Sequence, residues 1–144
     1  MSFRKRLPGI YKVTCTANGR CYIGQSNDCP MRWAQHMADL FAGTHVNTQL
    51  QDDWSTHGHT AFSFTFLERE EDADFRVERE QFYIRAHLSQ CYNVEWDRAH
   101  VIQNGVIVNR NTWQPLDPVG TPDSEPAPTE DIVTRWHRMV SGRR

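Results

Sequence analysis

The sequence is short of several things that would each have defined it at once. Its four cysteines, Cys15, Cys21, Cys29 and Cys91, form no CxxC pair and are too few to staple 144 residues. They read as reduced thiols, and neither a disulfide scaffold nor a structural zinc site is expected. His87 with Cys91, and His57 with His59, each offer two donors where zinc takes three or four. No run of about 18 apolar residues is available to cross a membrane. The basic opening MSFRKRLPGIY is not followed by the apolar stretch and small-residue cleavage site of a secretory signal. No segment repeats another. These absences leave a soluble, cytoplasmic chain with no membrane partner as the expectation.

What is present suits one domain with a tail. A hydrophobic fraction of 38% with five tryptophans can supply a modest core. The net charge of −2 argues against a protein that coats nucleic acid through bulk electrostatics. Its distribution says more. Residues 1–36 hold Arg4, Lys5, Arg6, Lys12, Arg20 and Arg32 against the single acid Asp28, a net +5 that leaves −7 for the remainder. A basic front on an acidic body fits one phosphate-facing surface, and an unrelated basic N-terminus is the plainer alternative.

Residues 9–15 and 21–26 are rich in strand formers and flank Ala17-Asn18-Gly19, a strong hairpin signal. If Asn18 and Gly19 alone form the loop, Tyr11 and Tyr22 share a face; a wider loop can set them directly opposite. In SNDCPMRWAQHMADLFAG, Asn27 or Asp28 can cap a helix over about 28–42, with Pro30 in the first turn and Gly43 at the end. Met31, Ala34, Ala38 and Phe41 are its expected apolar stripe, and Arg32 with His36 a cationic, polar face. A shorter helix over 47–57 ends at Gly58, and 61–68 alternates as a half-buried strand should. Residues 72–88 lack Pro and Gly and read as a long helix with Glu80 on an exposed face. The order predicts a small α/β (α+β layered) fold with a three-stranded antiparallel sheet flanked by helices.

Tyr92-Asn93 is expected to close the compact part, which gives a domain over 1–95. A hairpin extension follows over 96–114, carried by the Asn-Gly of VIQNGVIVN at 101–109. The stretch from Pro115 has five prolines and five acids and reads as a linker over 115–128. Ile132, Val133, Trp136, Met139 and Val140 then mark an amphipathic helix within 129–144, suited to docking on the core or on the second subunit of a homodimer.

GIY at 9–11, YIG at 22–24, Arg32 with His36, EQFYI around Glu80, and Tyr92-Asn93 together resemble the GIY-YIG nuclease family over roughly residues 9–94. The resemblance implies an endonuclease that hydrolyses DNA phosphodiesters at one site with one Mg2+ or Mn2+. It implies Glu80 as metal ligand, Arg32 as the group on the phosphate oxygens, and Tyr11 as the residue that orients or deprotonates the attacking water. A phenol is a poor base at neutral pH, so Tyr11 needs a partner: His36 is favoured to accept its proton, with Lys12 as the alternative. Tyr22 and Asn93 fill further positions that hold the phosphate and the geometry.

Each residue has an ordinary alternative: the tyrosines as cross-strand aromatics, Arg32 and His36 as a solvated face, Glu80 as a surface carboxylate. A silent nucleic-acid-binding module of the same fold, and an interaction protein working through its C-terminal helix, are the rival functions. The DNA can be single-stranded or duplex. No zinc finger or helix-turn-helix motif is visible, so recognition falls to the core's loops or the tail.

Overall fold

The computed structural model describes residues 5–116. The linker from residue 117 onward and the amphipathic helix expected over 129–140 lie outside the described residues. A three-stranded antiparallel sheet is built from β1 (Gly9–Cys15), β2 (Cys21–Ser26) and β3 (Phe62–Arg69) in the order β2-β1-β3. Helices α1 (Cys29–Ala42) and α2 (Thr48–His57) lie between β2 and β3, and α3 (Ala73–Ala86) follows β3. This is the expected order of elements. No helix among the described residues is long and apolar enough to cross a membrane.

The first hairpin closes through four residues, not two. Cys15 N–H donates to Arg20 O at 2.8 Å, and of the loop residues only Gly19 has a positive φ, at 77°. Asn18 is held out of the turn conformation because both ends of its amide are occupied: its Oδ1 accepts Arg20 N–H at 3.0 Å and its Nδ2 donates to Asp53 of α2 at 2.8 Å. Tyr11 therefore pairs with Gly24 and Tyr22 with Val13, which puts the two tyrosines on one face as diagonal neighbours.

The two faces of the sheet carry different layers. Ile10, Cys21 and Ile23 pack with Ile84 of α3 on one face, while Cys15, Leu40, Leu50, Trp54 and Tyr92 pack together on the other. Helix α1 buries a face other than the expected one. Cys29, His36 and Leu40 are inside, whereas Met31 and Phe41 are 49% and 64% exposed. Apolar periodicity placed His36 in solvent, yet a histidine with both ring nitrogens bonded can be buried at little cost. Helix α3 likewise buries Arg76 and Arg79 beside Phe75 and Ile84. Arg79 is acceptable there because it meets Glu68 through two nitrogens, and removing either partner would cost about 3–5 kcal/mol.

The compact part does not close at Asn93. Strands β4 (His100–Gln103) and β5 (Val106–Asn109) form a hairpin through a two-residue Asn104-Gly105 turn, both residues having positive φ. Ile102 and Ile107 then join the Ile10–Ile23–Ile84 cluster, so the hairpin shares the core. Pro115 and Leu116 continue it along β5, with Leu116 N–H on Ile107 O at 2.8 Å.

Candidate active site

Strand β2 lies at the sheet edge, and its outward backbone groups would be unpaired without help. Three devices close them in turn. Cys21 donates to Gln90 O at 3.0 Å and accepts Tyr92 N–H. The Asn93 amide then pairs both ways with Ile23, its Oδ1 accepting Ile23 N–H at 2.9 Å and its Nδ2 donating to Ile23 O at 2.7 Å. Next along, the Gln25 backbone N–H donates to the carboxylate of Glu80. Asn93 thus braces the edge of β2 with both ends of its amide. Its removal would strand two backbone groups at about 1–3 kcal/mol each.

Around this edge the structure gathers Tyr11 and Tyr22 from the sheet, Arg32 and His36 from α1, and Glu80 from α3. Tyr11 is 1% exposed, its ring stacked against Phe64 at 5.7 Å. Burial, then the neighbouring Tyr22, hold its hydroxyl well above the ordinary phenol range, while Arg32 pulls it down. Tyr22 meets the His36 ring edge-on at 5.2 Å and is raised by burial and by Glu80. Glu80 is half-buried instead of exposed, because it sits between α3 and β2; burial pushes it up to about 7. Arg32 is partly exposed at the start of α1, with Nη1 3.1 Å from Gln35 Oε1. Its charge lowers both phenols and both buried histidines.

Lys12 does not join the group. It pairs with Ile23 and Thr65 and faces α3, because neighbours on a strand point to opposite faces. The partner of Tyr11 is His36, at 2.7 Å from Oη to Nε2. Behind it stands His45, which the sequence reading missed: its Nε2 lies 2.7 Å from His36 Nδ1, the two rings inclined by only 21°. A loop histidine has no periodicity to mark it. The one available signal was its place in GTHVN, between the Gly43 that ends α1 and the Asn47 that caps α2.

The direction of this chain follows from its far end. Asn47 N–H points at His45 Nδ1 at 3.0 Å, and a backbone amide can only donate. His45 therefore carries its proton on Nε2 and donates to His36 Nδ1. His36, held neutral with its pKa down to about 3 by burial, Arg32 and His45, carries its proton on Nε2 and donates to Tyr11 Oη. This reverses the expected role of His36. It is a donor to the tyrosine oxygen, since the site it would use to accept is filled.

The donor set also bears on a metal. Among the described residues no three His, Cys, Asp or Glu side chains cluster as a cage would require. One carboxylate, Glu80, fits a hard divalent cation that keeps most of its waters.

Comparison with known proteins agrees with this fold. The family model described as the GIY-YIG catalytic domain matches residues 7–93. Intron-associated endonuclease 1 of Enterobacteria phage T4 is 36% identical over 89 residues, 60% of this chain and 36% of that protein, so the chain spans about a third of that relative's length. Two structures of the catalytic domain of the intron homing endonuclease I-TevI match with a TM-score of 0.57 at 33% identity. They cover 60% and 61% of this chain, and 92% and 98% of theirs. With more than half its length matched, and with the paired tyrosines and helix-borne Arg32, His36 and Glu80 in one place, the chain belongs to the GIY-YIG family.

Proposed function

We propose that this protein is an endonuclease that hydrolyses DNA phosphodiesters at a single site, with Glu80 as anchor for one Mg2+ or Mn2+. The observation that carries the reading is the buried donor chain Asn47–His45–His36–Tyr11, aimed at an oxygen beside Arg32 and Glu80. An ordinary cross-strand tyrosine needs no such support. The His36 hydrogen fills one lone pair of Tyr11 Oη, which leaves the other lone pair and the phenol hydrogen to orient a water. The His36 N–H fixes that oxygen in place while Tyr11 keeps its own proton, which burial holds on it against the pull of Arg32. Arg32 can take two phosphate oxygens with its planar fork. Tyr22, whose hydroxyl feels both Glu80 and Arg32, would hold the phosphate. A bound divalent cation would neutralise charge on the phosphoryl oxygens. The relatives' names as endonucleases support the same reading.

Cleavage of matched single-stranded, duplex and branched DNA in Mg2+ tests it. The wild-type chain should cut at least one; Glu80→Ala should cut none while keeping its fold, and Arg32→Ala should be slower by roughly 10². A wild-type chain that binds DNA and cuts nothing would make it a silent module, and a Glu80→Ala variant with full activity would remove Glu80 from the mechanism.

A further inference from the structure

Arg76 and Glu80 stand one turn apart on α3, the spacing at which opposite charges on a helix meet. The guanidinium of Arg76, 7% exposed, is turned elsewhere. Its Nε donates to Gln25 Oε1 at 3.0 Å, and its Nη1 to the carbonyls of Glu70 and Glu71 at 3.1 Å each. Gln25 stands at both ends of this arrangement. Its side chain receives the arginine, and its backbone N–H donates to Glu80.

We propose that Gln25 is a positioning residue that sequesters Arg76 and so keeps the Glu80 carboxylate available to a divalent cation. The inference rests on the reading of Glu80 as the metal anchor. Chemically it is a competition for one carboxylate. An arginine on Glu80 would cancel its charge and occupy the oxygens that a hard cation requires. Two backbone carbonyls hold only Nη1 of Arg76, so without the Gln25 amide the Nε side of the fork is left unbonded one turn from Glu80. Gln25 sits on the α3 face of β2, paired with Ile10, where no other role in the site calls for an amide.

The test is Mn2+ binding to the full chain without DNA, followed by water-proton relaxation, with thermal unfolding alongside. Gln25→Ala should weaken Mn2+ binding by roughly 10–100-fold with little change in melting temperature. Adding Arg76→Met to Gln25→Ala should restore wild-type affinity, because the competitor is gone. Gln25→Glu, which still holds the arginine, should bind no more weakly than wild type even if Gln25→Ala folds poorly. Glu80→Ala separates the two levels: if it binds Mn2+ as wild type does, the anchor assignment fails. If Glu80→Ala loses binding while Gln25→Ala keeps it, or the double variant stays as weak as Gln25→Ala, the sequestration of Arg76 is overturned.

Discussion

Gly24 runs beneath the phenol of Tyr11 so closely that a Cβ there would stand 2.3 Å from both Cζ and Oη. The glycine of YIG is therefore part of the site: it is the surface on which the Tyr11 hydroxyl rests. The glycine of GIY has a different cause. A Cβ on Gly9 would stand 1.9 Å from the Glu68 carbonyl oxygen, so that position serves the contact of β1 with β3.

Gly24→Ala should accordingly cost about 1–3 kcal/mol of stability. By displacing the Tyr11 hydroxyl it should also slow cleavage by roughly 10². In a Tyr11→Ala background the added methyl has room, and its stability cost should largely vanish. Denaturant unfolding of the two single variants and the double variant measures the coupling; simple additivity would contradict the contact.

The donor chain makes a spectroscopic claim. In nitrogen-15 spectra of the folded protein at neutral pH, His36 and His45 should both be neutral, with hydrogen on Nε2 and bare Nδ1. His45→Ala should leave His36 free to change tautomer and should reduce cleavage more than it reduces stability. Hydrogen on His36 Nδ1 in the wild type would make His36 the acceptor from Tyr11 and reverse the direction of the whole chain.

Stability against pH follows from the same burial. His36 titrates near 3 in the fold, against 6.5 for an unperturbed imidazole. Between those values the unfolded chain binds a proton that the folded chain refuses, so stability falls as pH drops from 6.5 toward 3. The slope is up to about 1.4 kcal/mol per pH unit for His36 alone. His45, also lowered by burial, acts in the same direction. Glu80 acts oppositely: raised to about 7, it keeps a proton in the fold that the unfolded chain has lost, a contribution that fades as pH rises through 7. The clean reading is the difference between wild type and His36→Gln, measured by denaturant unfolding at pH 5 and pH 7. That difference should narrow at pH 5; an unchanged difference would mean that His36 titrates normally.

Much of the fold was legible because its signals are local. Two strand-forming runs around Asn-Gly, capped helices ending at Gly43 and Gly58, and an alternating third strand each announce themselves within about ten residues. The face of α1 was not, because burial there is decided by a pair of hydrogen bonds to His36 that no hydropathy pattern contains. The same limit hid His45, whose role is fixed by the backbone of Asn47 and the ring of His36. Loop length in the first hairpin turned on Asp53, thirty-five residues away from Asn18. Motif order named Tyr11, Tyr22, Arg32, His36 and Glu80, which the structure gathers, but not His45, and the direction of the protons follows only from the hydrogen bonds between the rings.

One oxygen, Tyr11 Oη, stands at the centre of the proposed mechanism, and Tyr11→Phe removes it while keeping the ring against Phe64 and above Gly24. The deciding measurement is single-turnover cleavage of DNA in Mg2+ by the full chain and by Tyr11→Phe, with unfolding curves to show that both are folded. We predict that the wild type cuts and that Tyr11→Phe, equally folded, is slower by at least about 10². A folded Tyr11→Phe that cuts at the wild-type rate would contradict that mechanism.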